Sequence, residues 1–238
     1  MRKVKKFKLT SEFIVDISGV KLFRIKALIE FGNVKAGDLG GYIEKEKNLS
    51  HMGNAWVSGN AQVFGNARVS GDAQVFGDAQ VFGNARVFGN AWVSGDAQVF
   101  GNAWVSGNAQ VSGNAWVFGD AQVFGNAQVF GNARVFGNAR VSGNARVSGD
   151  AQVFDNAQVF GDARVSGDKD YAYAHGFGSC NRTTTFFRLK DGDVGVRCGC
   201  FYGTLAQFRD NVCETHGETK KAQEYLMLAD LMDFRFKN

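Results

Sequence analysis

Alanine and valine stand two residues apart in nineteen consecutive six-residue units from Gly53 to Ser166. Each unit reads Gly-Asn/Asp-Ala-x-Val-Ser/Phe, and Asp155 is the one first-position exception. Residues two apart on an extended segment point to the same side, so alanine and valine define an interior and the residue between them an exterior. The Gly-Asn or Gly-Asp pair supplies the positive-φ tolerance of a sharp corner. Each unit is therefore one short strand and one corner, and six residues per side close most naturally into a three-sided coil of eighteen. A two-sided coil of twelve stays open as an alternative.

Outside the repeat the pattern changes twice. Residues 3–9, 13–17 and 20–31 read as short strands of an N-terminal cap, which covers the otherwise unpaired backbone of a first coil. Residues 32–52 read as a degenerate first coil, with Ile43 and Leu49 on the beat of Ala55, and Lys45 and His51 in the valine phase. After Gly167-Asp168 the beat fails. Residues 171–182 read as a loop leaving the rod, and 183–189 and 194–200 as a hairpin around Asp191-Gly192-Asp193. Thr204 with Gln207 opens a helix ending before Gly217, and Thr219 opens another with Tyr225, Leu228, Ala229 and Met232 on one side. The expected organisation is a β cap and degenerate coil over 1–52, a β-solenoid over 53–168 and a small ββαα unit over 169–238.

Composition supports a periodic backbone: 31 glycines fall mostly on the six-residue beat, and proline is absent. The net charge of +4 sits at the N-terminus, where residues 1–52 hold eleven Lys/Arg against six Asp/Glu. The run from Arg2 through Lys3, Lys5 and Lys6 to Lys8 is a candidate anion contact or a solvated strand edge. No segment reaches the length of a membrane span and no leader pattern opens the chain, so a cytoplasmic location is expected.

The hexapeptide beat resembles the superfamily of hexapeptide-repeat proteins that fold as left-handed parallel β-helices, which includes many acyltransferases and the γ-class carbonic anhydrases. The left hand is what the resemblance implies; the general crossover rule would favour the right. The Gly-Asn-Ala-x-Val variant, with Gly-Asp-Leu-Gly-Gly-Tyr-Ile at 37–43, is most similar to short phage- and prophage-encoded proteins without assigned function. An enzyme of this superfamily depends on histidines in or near its coils, yet between Gly53 and Ser166 there is no histidine or cysteine. Only His51 and His175 flank the rod. A non-enzymatic, homo-oligomeric binding protein without a cofactor is the expectation. Its partners would be itself as dimer or trimer, and a host protein or a small nucleotide-like anion rather than nucleic acid. The alternatives are an acyltransferase using CoA donors and a structural fibre component.

Read by threes, the sixth positions give one unbroken column, Phe64, Phe82, Phe100, Phe118, Phe136 and Phe154, the candidate oligomer interface. The fourth positions offer Arg134, Arg140 and Arg146 girdling one turn, and Trp92, Trp104 and Trp116 on three sides, as candidate ligand contacts. In the tail, Cys198-x-Cys200 reads as two thiols on one strand. Cys180, Cys213 and His216 could complete a metal set with them, but the spacing is a weak signal and no metal is assigned.

Overall fold

The computed structural model describes residues 4–178 and 182–237. Arg2, Lys3 and Cys180 lie outside these residues. The repeat forms a three-sided parallel β-solenoid of about seven turns, each unit giving one two-residue rung of the fourth and fifth residues. Rungs eighteen residues apart pair in register, as Gln98 with Trp116 and Val99 with Val117. Alanine and valine of every unit are buried, and they form one continuous core along the rod.

Three faces result. The phenylalanine face carries six repeat rungs, from Gln62–Val63 to Gln152–Val153, the serine-rich face seven from Trp56–Val57 to Arg164–Val165, and the alternating face six from Arg68–Val69 to Gln158–Val159. At the corners, asparagine side chains form amide ladders. Asn66 donates to Asn84, Asn84 to Asn102, and Asn102 to Asp120 (3.2, 3.0 and 2.9 Å). A carboxylate can accept but not donate, so aspartate ends each such run.

The single break in the glycine column has a physical reason. A Cβ on Gly137 would lie 2.9 Å from the backbone nitrogen of residue 155 in the next coil. Asp155 also has positive φ (55°) but is the last corner of its column, with no further coil above it. Aspartate tolerates this conformation, and its carboxylate accepts a hydrogen bond from the Tyr173 hydroxyl of the tail.

Both ends are capped, and the caps match the polarity of the ladder. Each rung donates its N–H groups to the following coil, as Trp92 N does to Ala109 O (2.9 Å). The N-terminal end therefore presents orphan carbonyls and the C-terminal end orphan amides. On the phenylalanine face the strand Leu39–Ile43 supplies backbone donors, Tyr42 N to Ala61 O and Glu44 N to Val63 O. Asn48 Nδ2 serves Gly65 O and Ala67 O on the alternating face (3.2 and 2.9 Å). On the serine-rich face the buried Lys6 Nζ serves Gly53 O and Ala55 O (3.2 and 2.7 Å). The far end uses acceptors: Asp168 for Gln152 N, Thr185 Oγ1 for Gln158 N, and Asp170 for Ser166 N and Gly167 N.

The expectations for the two caps need correction. Ile43 and Leu49 pair with Val63 and Val69, so they hold the valine place rather than the alanine place. The lead-in coil is two residues longer than the repeat, and the extra residues lie in the wide corner before Ala55. The cap strands are Phe7–Val15, continuous through a bulge, and Lys21–Ala27; they form a hairpin that extends the phenylalanine-face sheet to nine strands.

Residues expected to form a loop are the strand Tyr171–Phe177, first of four antiparallel strands with Arg182–Arg188, Val194–Cys198 and Phe201–Thr204. The tail is thus ββββαα, because Tyr171 and Phe187 are needed to cover the last coil. Alternation on Arg182–Arg188 turns Phe187 and Thr185 to the rod and Phe186 to the helices. Those helices are α1 (Leu205–His216), with the Thr204–Gln207 capping box, and α2 (Lys220–Phe236), capped by Thr219. Tyr225, Ala229 and Met232 of α2 are buried in the tail core, and Leu228 packs partly against it. No helix among the described residues is long and apolar enough to cross a membrane.

Candidate functional site

The chemistry available to this fold lies on the rod's outer faces and in the clefts where caps meet rod. The six phenylalanines of the unbroken column stack as a ladder, with ring centroids 4.9–5.2 Å apart and interplanar angles of 2–12°. Each ring is half-buried, and those from Phe82 to Phe136 have a stacked neighbour on both faces, whereas Phe76, Phe124 and Phe130 of the other faces are exposed. At its C-terminal end the ladder meets Tyr171 and Tyr173 edge-on. There it opens into a cleft of about 650 Å³ shared with Leu231, Met232, Phe234 and Arg235 of α2.

Arg134, Arg140 and Arg146 occupy three different faces of one turn, so they do not converge on a common ligand. Trp92, Trp104 and Trp116 are likewise distributed one per face. Stacking along the rod makes different pairs. Arg134 lies over the Trp116 ring (4.9 Å) and Arg86 over Trp104 (5.4 Å), while Trp92 meets Phe76 edge-on. Arg68 and Arg86, not singled out from the sequence, are register partners on the alternating face. Their separation by eighteen residues was the available signal. Arg146 and Arg164 are a second such pair, but Arg164 is already bonded to the carbonyls of Asn144 and Ala163 (3.1 and 2.9 Å).

The flanking histidines sit at opposite ends. His51 stacks on Phe7 (centroids 4.3 Å apart), and its Nδ1 accepts the Lys6 backbone N–H (3.2 Å). Its Nε2 is sealed from solvent and lies 3.8 Å from a Glu46 carboxylate oxygen. Burial holds the imidazole below its ordinary pKa, against the upward pull of Glu46. Neither nitrogen is presented to a substrate. His175 is exposed on the tail sheet, with Nδ1 3.0 Å from Thr183 Oγ1.

The tail thiols are separated by the local backbone. Cys198 ends its strand, while Cys200 lies in the turn beyond Gly199, which has positive φ (57°), so the two do not share one strand as expected. The Cys198 thiol lies 3.2 Å from Thr184 Oγ1 and 3.9 Å from the Tyr225 hydroxyl. Cys213 is exposed on α1, and His216 stacks on Tyr225. Among the described residues, no three His, Cys, Asp or Glu side chains form a group that could hold a metal ion.

The repeat matches the family described as YdcK β-solenoid repeat over residues 61–77, 79–95, 97–111, 109–125, 127–141 and 139–155. These matches and the solenoid architecture support a repeat β-helix protein. No curated protein matches the chain.

Proposed function

We propose that this β-solenoid protein is a non-enzymatic binding protein that pairs with a second copy of itself along the phenylalanine face and presents the joined rods to a partner. The observation that carries the reading is a continuous apolar strip. It runs from Phe64 to Phe154, five spacings of 4.9–5.2 Å, and continues through the cleft to Leu231 and Phe234. Those two side chains of α2 are 56% and 71% exposed, and Met227 one turn earlier is 72% exposed. Such a helix stripe beside an aromatic ladder is a contiguous exposed apolar patch of the kind that marks a protein–protein interaction site. Five spacings of about 5 Å make the ladder about 25 Å long before the α2 stripe is added.

A second copy fits better than an unrelated ligand because the ring faces are already taken by the ladder. What remains is a long row of ring edges, which a matching row can interlock. Catalysis by the coils lacks support, since the Nδ1 of His51 is occupied and its Nε2 is sealed off. The resemblance to phage-encoded chains makes a host protein the first external partner to test.

Native mass spectrometry of the wild type, of Phe100→Ser/Phe118→Ser and of Leu231→Glu/Phe234→Glu tests the reading. Serine already occupies the sixth position in eight units, so the first variant keeps the repeat. The wild type is expected as a dimer and both variants as monomers with unchanged circular dichroism. A monomeric wild type, or a dimer indifferent to both variants, overturns the proposal.

A further inference from the structure

The alternating face carries a second recognition feature, independent of the phenylalanine strip. Arg68 and Arg86 project from adjacent rungs, about 4.8 Å apart along the rod, in register with each other. Together with Ser70, Phe88 and Trp104 they line a cleft of about 290 Å³. That cleft shares Arg68 and Ser70 with a larger one of about 760 Å³, which reaches Lys47 and Ser50 under the N-terminal cap.

Charge accounting sets this pair apart. The nearby carboxylates are already engaged: Glu46 with Lys5 (2.7 Å), and Asp72 with the backbone N–H of Asn54 (2.9 Å) and the field of Lys6. The corner beside these rungs is the neutral amide run Asn66, Asn84 and Asn102, and the first carboxylate of that column is Asp120, beyond Trp104. Neither arginine forms an ion pair among the described residues. Arg86 is held in place by stacking on Trp104 (5.4 Å), which itself meets Phe88 edge-on. Two like charges on adjacent rungs without a counterion repel. A doubly charged oxyanion bridging both removes that repulsion and takes up their planar arrays of donors.

We propose that this face binds a phosphomonoester carried on a planar ring, a nucleotide being the natural example. The phosphate bridges Arg68 and Arg86, and the ring packs on the aromatic edge formed by Phe88 and Trp104, 41% of whose surface is exposed. The ligand's source is a free nucleotide or the 5′-phosphorylated end of a single strand; both present the same phosphomonoester and ring.

Calorimetric titration with AMP, inorganic phosphate, adenosine and a 5′-phosphorylated single-stranded oligonucleotide tests the site, on the wild type, Arg68→Gln/Arg86→Gln and Trp104→Gln. Glutamine is the fourth-position residue in nine of the nineteen units, so these variants keep the repeat. AMP is expected to bind more tightly than phosphate, and the double arginine variant to weaken AMP about tenfold or more. Trp104→Gln should remove the advantage of AMP over phosphate. An oligonucleotide binding more tightly than AMP, with the same arginine dependence, supports the site and assigns the nucleotide to a strand. Three results would overturn the proposal: no AMP binding up to about 5 mM, adenosine binding as well as AMP, or an equal loss in a control Arg146→Gln/Arg164→Gln.

Discussion

Lys6 gives the sharpest test of how the rod is closed. Its ammonium is buried against Gly53 O and Ala55 O, where the ladder leaves carbonyls without partners. Burial pulls its pKa from 10.5 down to about 8, with Asp72 pulling the other way. Because the folded pKa lies below the unfolded one, the unfolded chain holds more protons between pH 8 and pH 10.5, and stability must rise with pH across that window. A shift of this size, integrated from pH 7 to pH 10, makes the Lys6 contribution about 2 kcal/mol more favourable at the higher pH.

Other lysines and tyrosines titrate in the same range, so the informative quantity is the difference between wild type and Lys6→Met, which keeps the apolar stem. At pH 7 the two should be similar. Methionine abandons two buried acceptors, at about 1–3 kcal/mol each, but it escapes a desolvation penalty of comparable size. By pH 10 the neutral amine still donates without that penalty, and the wild type should lead by about 2 kcal/mol. Urea unfolding followed by circular dichroism at both pH values measures this. A difference that stays flat or falls from pH 7 to pH 10 would refute the capping argument.

Further expectations concern the corners and the buried histidine. Gly119→Ala places a Cβ 3.0 Å from Gly137 N at a φ of +70°, and should cost about 1–3 kcal/mol in urea unfolding. Asp155→Gly relieves the positive φ but frees Tyr173. Overall stability should change by less than about 1 kcal/mol, while amide exchange in 171–177 accelerates. His51 has a folded pKa below its unfolded one, so its contribution is present above the unfolded value near pH 6.5 and lost as pH falls below it. The wild type should therefore lose stability relative to His51→Gln between about pH 7 and pH 5.

The rod was legible because each of its positions repeats one local decision: alanine and valine in, glycine at the corner, a variable residue out. The caps were not, because their job is to supply what the repeat lacks at each end, and that is set by pairing between distant segments. Ile43 fell one alternation out of place because the wide corner before Ala55 adds two residues, a change the six-residue beat cannot announce. The strand Tyr171–Phe177 looked like a loop because its demand for order comes from the exposed last coil rather than from its own pattern. The outward face misled in another way. Arg134, Arg140 and Arg146 are neighbours along the chain but point three ways, whereas Arg68 and Arg86 are distant in sequence and adjacent in space.

Self-association along the phenylalanine face is the claim on which the functional reading rests, and sedimentation equilibrium of the wild-type chain over a concentration series measures it most directly. The account predicts a species of twice the 25.8 kDa chain mass, dissociating on dilution. A single species at 25.8 kDa across the whole series would contradict it.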